Sequence, residues 1–281
     1  MISKQNIISS LSFGSLLISS FCVAQVADEK DKAPFDLTHW KVTIPKGNPT
    51  SIGYPEILGY NTNQSINKYM YNDTDGAVVF YAYPSGVTTA NTHYSRSELR
   101  EQMVPGKNEP NWKFSQGGRM KGTLAMGPVS KSKEGKYHKV IIMQIHGRLS
   151  DDQKELIGED DNNAPPILKI YWDNGKVRVK TKVLKNRKVS DTEMLNTKAW
   201  IDDKGYNFKE KVNFDKFTLE VIVSKGRLEV VLNNNESVVY RSSDLKKWDV
   251  FENYFKAGNY LQTNDKGAFA KVKYYSLDVS H

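Results

Sequence analysis

Strand-length runs of apolar or alternating residues, cut by turn residues at intervals of roughly 8–12 positions, fill almost the whole chain. Ala77–Tyr83 lies between Asp75-Gly76 and Pro84-Ser85-Gly86. Ile167–Trp172 and Lys176–Val183 flank Asp173-Asn174-Gly175, the composition of a tight hairpin turn. Three more runs, 216–223, 227–232 and 236–240, are separated by Ser224-Lys225-Gly226 and Asn233-Asn234-Asn235. Ala268–Val279 alternates again, and no long segment carries a 3.6-residue period. Such a chain buries itself as two packed sheets or as a barrel. No internal repeat and no Pro/Ser/Gly linker divides it. The expectation is one all-β domain over residues 33–281, after a short polar lead at 25–32.

Residues 1–24 stand apart. One positive charge, Lys4, precedes a mostly apolar and hydroxyl stretch that ends at the small residue Ala24, the pattern of a secretory signal peptide. Its removal would leave a protein acting in the periplasm or outside the cell. Bulky Phe21 before Cys22 argues against a lipid anchor there. Cys22 is the only cysteine, so an intramolecular disulfide and a cysteine-based zinc site are excluded. No internal run reaches the roughly 20 apolar residues of a membrane span. The chain carries 40 Lys+Arg against 32 Asp+Glu, a net +8. That modest excess suits an anionic partner, but no nucleic-acid motif accompanies it, so a nucleic-acid partner is not expected.

Asp151–Asp161 breaks the strand pattern with six acids against one base, Lys154, and runs into Asn162-Asn163-Ala164-Pro165-Pro166. It reads as a solvated loop. Beside a binding cleft it would be a lid or a calcium loop, although its spacing matches no EF-hand.

Three segments carry chemistry. In a strand, alternate side chains share a face. Arg96, Glu98 and Arg100 therefore share one face of His93–Glu101, two guanidiniums around a carboxylate. Arginine suits bidentate recognition of carboxylates. In Lys139–Gly147, Gln144 and His146 share a face together with Ile142, while Ile141, Met143 and Ile145 face apolar packing. In Tyr254–Gln262, one face holds Tyr254, Lys256, Gly258, Tyr260 and Gln262, with Gly258 leaving room for a ligand. Each segment alone also fits a plain half-exposed strand. Gathered in one sheet, they would combine cations and amides with two proton-transfer groups, His146 and Tyr260. Glycoside hydrolysis normally needs two carboxyl groups, and Glu98 is the only acid in the set. No nucleophile elbow or His-x-x-x-His metal cluster is present. What remains suits an anionic polymer and proton abstraction next to a carboxylate.

Arg96-Ser97-Glu98-Leu99-Arg100, Gln144-Ile145-His146 and Tyr254–Gln262 resemble, in order, the three signature blocks of the alginate lyases of polysaccharide lyase family 7. Asp36–Pro45 resembles the segment that opens that catalytic domain. The resemblance implies a concanavalin A-like jelly-roll sandwich of two curved antiparallel sheets with a concave cleft. It also implies β-elimination at the 4-O-glycosidic bond, leaving an unsaturated uronate at the new non-reducing end. Carried over by position, Arg100 and Gln144 would neutralise the substrate carboxylate, and His146 and Tyr260 would move protons. Arg96, Glu98, Tyr254, Lys256 and Gln262 would bind or support substrate. Alginate is then the partner, with no metal or cofactor required and a monomer expected. Ile145, at the centre of its block, goes in this family with acceptance of guluronate. The implied substrate is thus guluronate-rich or mixed alginate, cut internally. A lyase on another polyuronate such as glucuronan, or a non-catalytic carbohydrate-binding jelly-roll, are the alternative readings. The second has no use for a paired His146 and Tyr260.

Overall fold

The alternation seen in the sequence becomes strands packed on both sides of one apolar layer. The structure, a computed structural model, describes residues 32–46, 50–87 and 92–281. The expected signal segment, and the lead up to residue 31, lie outside the described residues. The strands are β1 (Trp40–Ile44), β2 (Thr50–Ile52), β3 (Met70–Asn72), β4 (Val78–Ala82), β5 (Arg96–Glu101), β6 (Trp112–Lys113), β7 (Gly118–Val129), β8 (Val140–Arg148) and β9 (Asn163–Asp173). They continue with β10 (Lys176–Leu184), β11 (Trp200–Asp202), β12 (Tyr206–Lys211), β13 (Phe217–Ser224), β14 (Arg227–Leu232), β15 (Glu236–Tyr240), β16 (Glu252–Leu261) and β17 (Ala270–Ser280). Among the described residues, three short α-helices, α1 (Asp151–Ile157), α2 (Asp191–Met194) and α3 (Ser243–Lys247), sit in the connections.

All the pairings are antiparallel, and the strands form two open sheets. One runs β11-β10-β9-β8-β16-β5-β1-β2, with β12 also on β10 and β6 on β16; the other runs β15-β14-β13-β7-β17-β4-β3. This is the jelly-roll sandwich the resemblance implied. The inner faces meet in one apolar cluster, to which Val42, Leu99, Ile145, Phe255 and Leu261 come from the first sheet and Phe80, Leu124, Val221 and Val272 from the second. Asn259 ties the sheets together. It is fully buried and donates through its side-chain amide to the carbonyls of Phe80 (3.0 Å) and Ala270 (2.7 Å).

The acidic segment is not simply a loop. Asp151–Ile157 is helical, closed at its start by a capping box in which Ser150 Oγ accepts from the Gln153 N–H and Gln153 accepts from the Ser150 N–H. Gly158, in the left-handed region at φ 69°, ends it. Among the described residues, no group of three or more His, Cys, Asp or Glu side chains is placed to hold a metal ion.

Candidate active site

Register places the three signature strands side by side. β5, β16 and β8 are consecutive neighbours, and the pairing sets Arg100 opposite Lys256, and Lys256 opposite Gln144. The same transverse row continues to Lys41 on β1, opposite Arg100, and to Lys169 on β9, opposite Gln144. All five side chains line one cleft of about 840 Å³ on the outer face of this sheet. Arg96, His146, Tyr254, Tyr260 and Gln262 line it too. Sequence reasoning missed Lys41 and Lys169. Nothing local marks either of them, because their place follows from strand pairing.

Glu98 sits beneath this floor rather than on it. It is 1% exposed and does not line the cleft. One oxygen accepts from Gln144 Nε2 at 2.5 Å; the other pairs with Lys256 Nζ at 2.5 Å and Arg96 Nη1 at 3.4 Å. The sequence set it between two arginines, but Arg100 turns elsewhere. Arg100 donates to the carbonyls of Glu101 (2.7 Å) and Asn108 (2.9 Å) and to Asn111 Oδ1 (2.9 Å), and stacks on Tyr254 at 4.1 Å. These bonds take three of its five N–H groups, and the Tyr254 phenol is a further hydrogen-bond partner of the guanidinium. Gln144 spends one amide hydrogen on Glu98 and keeps the other.

His146 Nδ1 lies 2.9 Å from the Gly147 carbonyl, which can only accept, so Nδ1 carries the proton and Nε2 is the free base. Its ring stacks on Tyr254 at 5.3 Å, with the phenol oxygen 3.1 Å from Nδ1. Burial, then the positive charges of Lys256, Arg96 and Arg100, hold the imidazole far below its ordinary value, at about 3, so it is neutral at physiological pH. Burial pushes the Tyr260 phenol up despite Arg96, whose guanidinium stacks on the ring at 4.3 Å. Tyr260 is thus an intact phenol. Burial also pushes Lys256 and Lys41 down to about 8, with Glu98 opposing the shift at Lys256 and Arg100 adding to it at Lys41.

Two readings of strand faces need correction. Ile141, not Ile142, shares the cleft with Gln144 and His146, because a register irregularity between Ile141 and Met143 inserts Ile142 as an extra buried residue. Gly258 leaves no room for a ligand. A Cβ there would lie 2.7 Å from the Ser97 carbonyl and 2.9 Å from Glu98 Cα, at φ 136°. The glycine admits the neighbouring strand. Ile145, offered as a clue to substrate, is fully buried in the core on the opposite face and does not line the cleft.

The acidic segment does reach the cleft, through Asp161, Asn162 and Asn163 on one rim.

A family profile described as alginate lyase matches residues 35–281. The chain belongs to the alginate lyases of polysaccharide lyase family 7. Among solved structures, alginate lyase A1-II', a member of that family, is 33% identical over 88% of this chain and 96% of its own, with a TM-score of 0.70. A substituted form of the same enzyme in complex with the substrate GGMG is 32% identical, over 89% and 97%, at 0.71. An alginate lyase from Pseudomonas aeruginosa, 24% identical over 88% and 99% at 0.65, shares the fold. No curated protein sequence matches. In this lyase the four positions carried over as reactive, Arg100, Gln144, His146 and Tyr260, converge on one cleft, as do Arg96, Tyr254, Lys256 and Gln262. Only Glu98 stands behind it.

Proposed function

We propose that this alginate lyase is secreted and cuts alginate internally, favouring guluronate-rich or mixed segments. The observation that carries the reading is the pairing of a neutral imidazole, His146, with an intact phenol, Tyr260, over a row of cations. The guanidinium of Arg100 and the amide of Gln144 receive the uronate carboxylate and stabilise the enolate-like charge that develops when H5 leaves. His146 Nε2 takes H5, the C5–H electrons become the C4=C5 double bond, and the C4–O4 bond breaks. Tyr260 gives its proton to departing O4. In guluronate, H5 and O4 lie on opposite sides, which a separate base and acid serve. In mannuronate they share a side, and Tyr260 would have to act as both. Its raised pKa leaves little phenolate available to act as the base, which supports the guluronate preference. Internal cutting is supported by a cationic row across five strands, about 19 Å at the usual strand spacing.

The test is ultraviolet absorbance of unsaturated product from separate polymannuronate, polyguluronate and polyglucuronate. A faster rise on polyguluronate, with mixed product lengths at early times, is expected. A faster rise on polymannuronate, or only the shortest products from the outset, would refute preference or mode. Secretion is checked by sequencing the N-terminus of protein recovered outside the cytoplasm, expected to begin after Ala24.

A further inference from the structure

The outer face of the second sheet, on the far side of the sandwich from the cleft, carries an aromatic and basic patch that the reaction does not use. Its residues follow from strand alternation. Met70, Phe80, Ala270 and Val272 point into the core, so Tyr71, Tyr81 and Lys271 point out, with Lys271 directly opposite Tyr81. With Lys68 and Phe269 they line a shallow depression of about 310 Å³. Four rings form a row, Phe269 to Tyr81 at 6.5 Å, Tyr81 to Tyr83 at 5.8 Å and Tyr83 to Tyr69 at 6.2 Å. Lys271 Nζ lies 5.7 Å from the Tyr71 ring centre and 5.9 Å from that of Tyr81. Beneath its stem is Gly127, where a Cβ would come within 2.9 Å of Lys271 Cβ.

The charges on this face are not treated alike. Lys273, two residues along the strand, is tied to Asp73 (2.6 Å) and Asp75 (3.1 Å). Among the described residues, no carboxylate forms an ion pair with Lys68 or Lys271. A merely solvated sheet face does not need three half-exposed rings, Tyr71, Tyr81 and Phe269, in one hollow with two unneutralised ammonium groups. The combination matches one ligand chemistry. A pyranose ring offers an apolar C–H face to an aromatic ring, and a uronate adds a carboxylate for the lysine.

We infer a second, non-catalytic site for the polyuronate chain on this outer face, centred on Tyr71, Tyr81 and Lys271. The inference rests on alginate being the cleft's substrate. The site would hold the enzyme on polymer while the cleft works on another segment.

The test separates the two faces. In a Tyr260→Phe background, which leaves polymer intact, retardation in alginate-containing native gels is compared with and without Lys68→Gln/Lys271→Gln, and with and without Tyr71→Ala. Both sets are expected to weaken apparent polymer affinity at least about tenfold, part of the roughly 10²–10⁴-fold gain that a second linked attachment can give. With Tyr260 present, the same substitutions should leave the initial rate on a short alginate oligomer within about twofold, as expected for distant sites. Unchanged retardation would overturn the inference. So would a lysine effect equal on DNA and alginate, with none from Tyr71→Ala, because the patch would then be a plain charge. Lack of oligomer cleavage by the unsubstituted enzyme would instead sink the cleft assignment.

Discussion

Glu98 is the buried counter-charge of the cleft, and Glu98→Gln is the most informative single change. The substitution keeps shape and removes the charge that holds Lys256 at 2.5 Å. Lys256 is 6% exposed, so its ammonium would be left in a site where water cannot reach it freely. Breaking a buried pair by removing one partner costs about 3–5 kcal/mol. A ceiling follows from titration. Lys256 can shed its proton, and from the ordinary 10.5 down to pH 7 this costs about 5 kcal/mol at about 1.4 kcal/mol per pH unit. The amide oxygen of the substituted side chain can still accept a hydrogen bond from Lys256. That puts the expected loss near the low end, about 3 kcal/mol, or a Tm lower by about 6–12 °C. The pH dependence identifies the cause. In the native protein Lys256 titrates at about 8, so from pH 7 to pH 8 its contribution to stability rises by only about 0.4 kcal/mol. Without Glu98 the folded-state value falls further below that of the unfolded chain. The unfolded state then binds more protons in that interval, and stability rises with pH. The gap between variant and native protein should narrow by up to about 1 kcal/mol from pH 7 to pH 8, the variant's rise of about 1.4 less about 0.4 in the native protein. Denaturant titrations at both pH values measure it. A loss under about 1 kcal/mol, well below the buried-pair range, with a constant gap would refute the idea that Glu98 keeps Lys256 charged.

Tyr260→Phe removes the proton donor and should lower turnover by about 10²–10⁴-fold with alginate affinity retained; near-native turnover would remove Tyr260 from proton transfer. His146→Asn should slow polyguluronate cleavage more than polymannuronate cleavage, and equal losses would argue against separate bases. Because Lys41 and Lys256 lose their protons near pH 8, KM for polymer should rise as pH increases through that point, measurable by initial rates from pH 7 to 9.5. Gly258→Ala would drive a methyl group into the Ser97 carbonyl at a positive φ and should destabilise by about 2–4 kcal/mol in thermal melts.

The sequence revealed the strands and the two faces of each signature block because both follow from a period of two within one segment. It did not reveal what depends on neighbours. Lys41 looks like any half-buried strand lysine until β1 is laid against β5 and faces Arg100. The exchange of Ile142 for Ile141 depends on how β8 matches β9, which no local pattern encodes. The role of Gly258 is hidden for the same reason, since the group that needs the space belongs to another strand. Helix α1 is legible in hindsight. Ser150 followed three residues later by Gln153 is a capping-box pattern, obscured because a seven-residue helix is too short to show periodicity.

The row Lys41–Arg100–Lys256–Gln144–Lys169 has one side chain per strand, so its pitch belongs to the backbone. Adjacent strands are held about 4.8 Å apart by their hydrogen bonds. The cleft is therefore a ruler whose graduations substitution can relabel but cannot respace. Exchanging a lysine for a glutamine changes what a graduation reads; only breaking the sheet would move it. Discrimination between uronates that differ at one carbon cannot be tuned through that spacing. It falls to the groups that approach from beside the ruler, His146 and Tyr260, and to the rim at Asp161–Asn163, where a change of length leaves the graduations untouched.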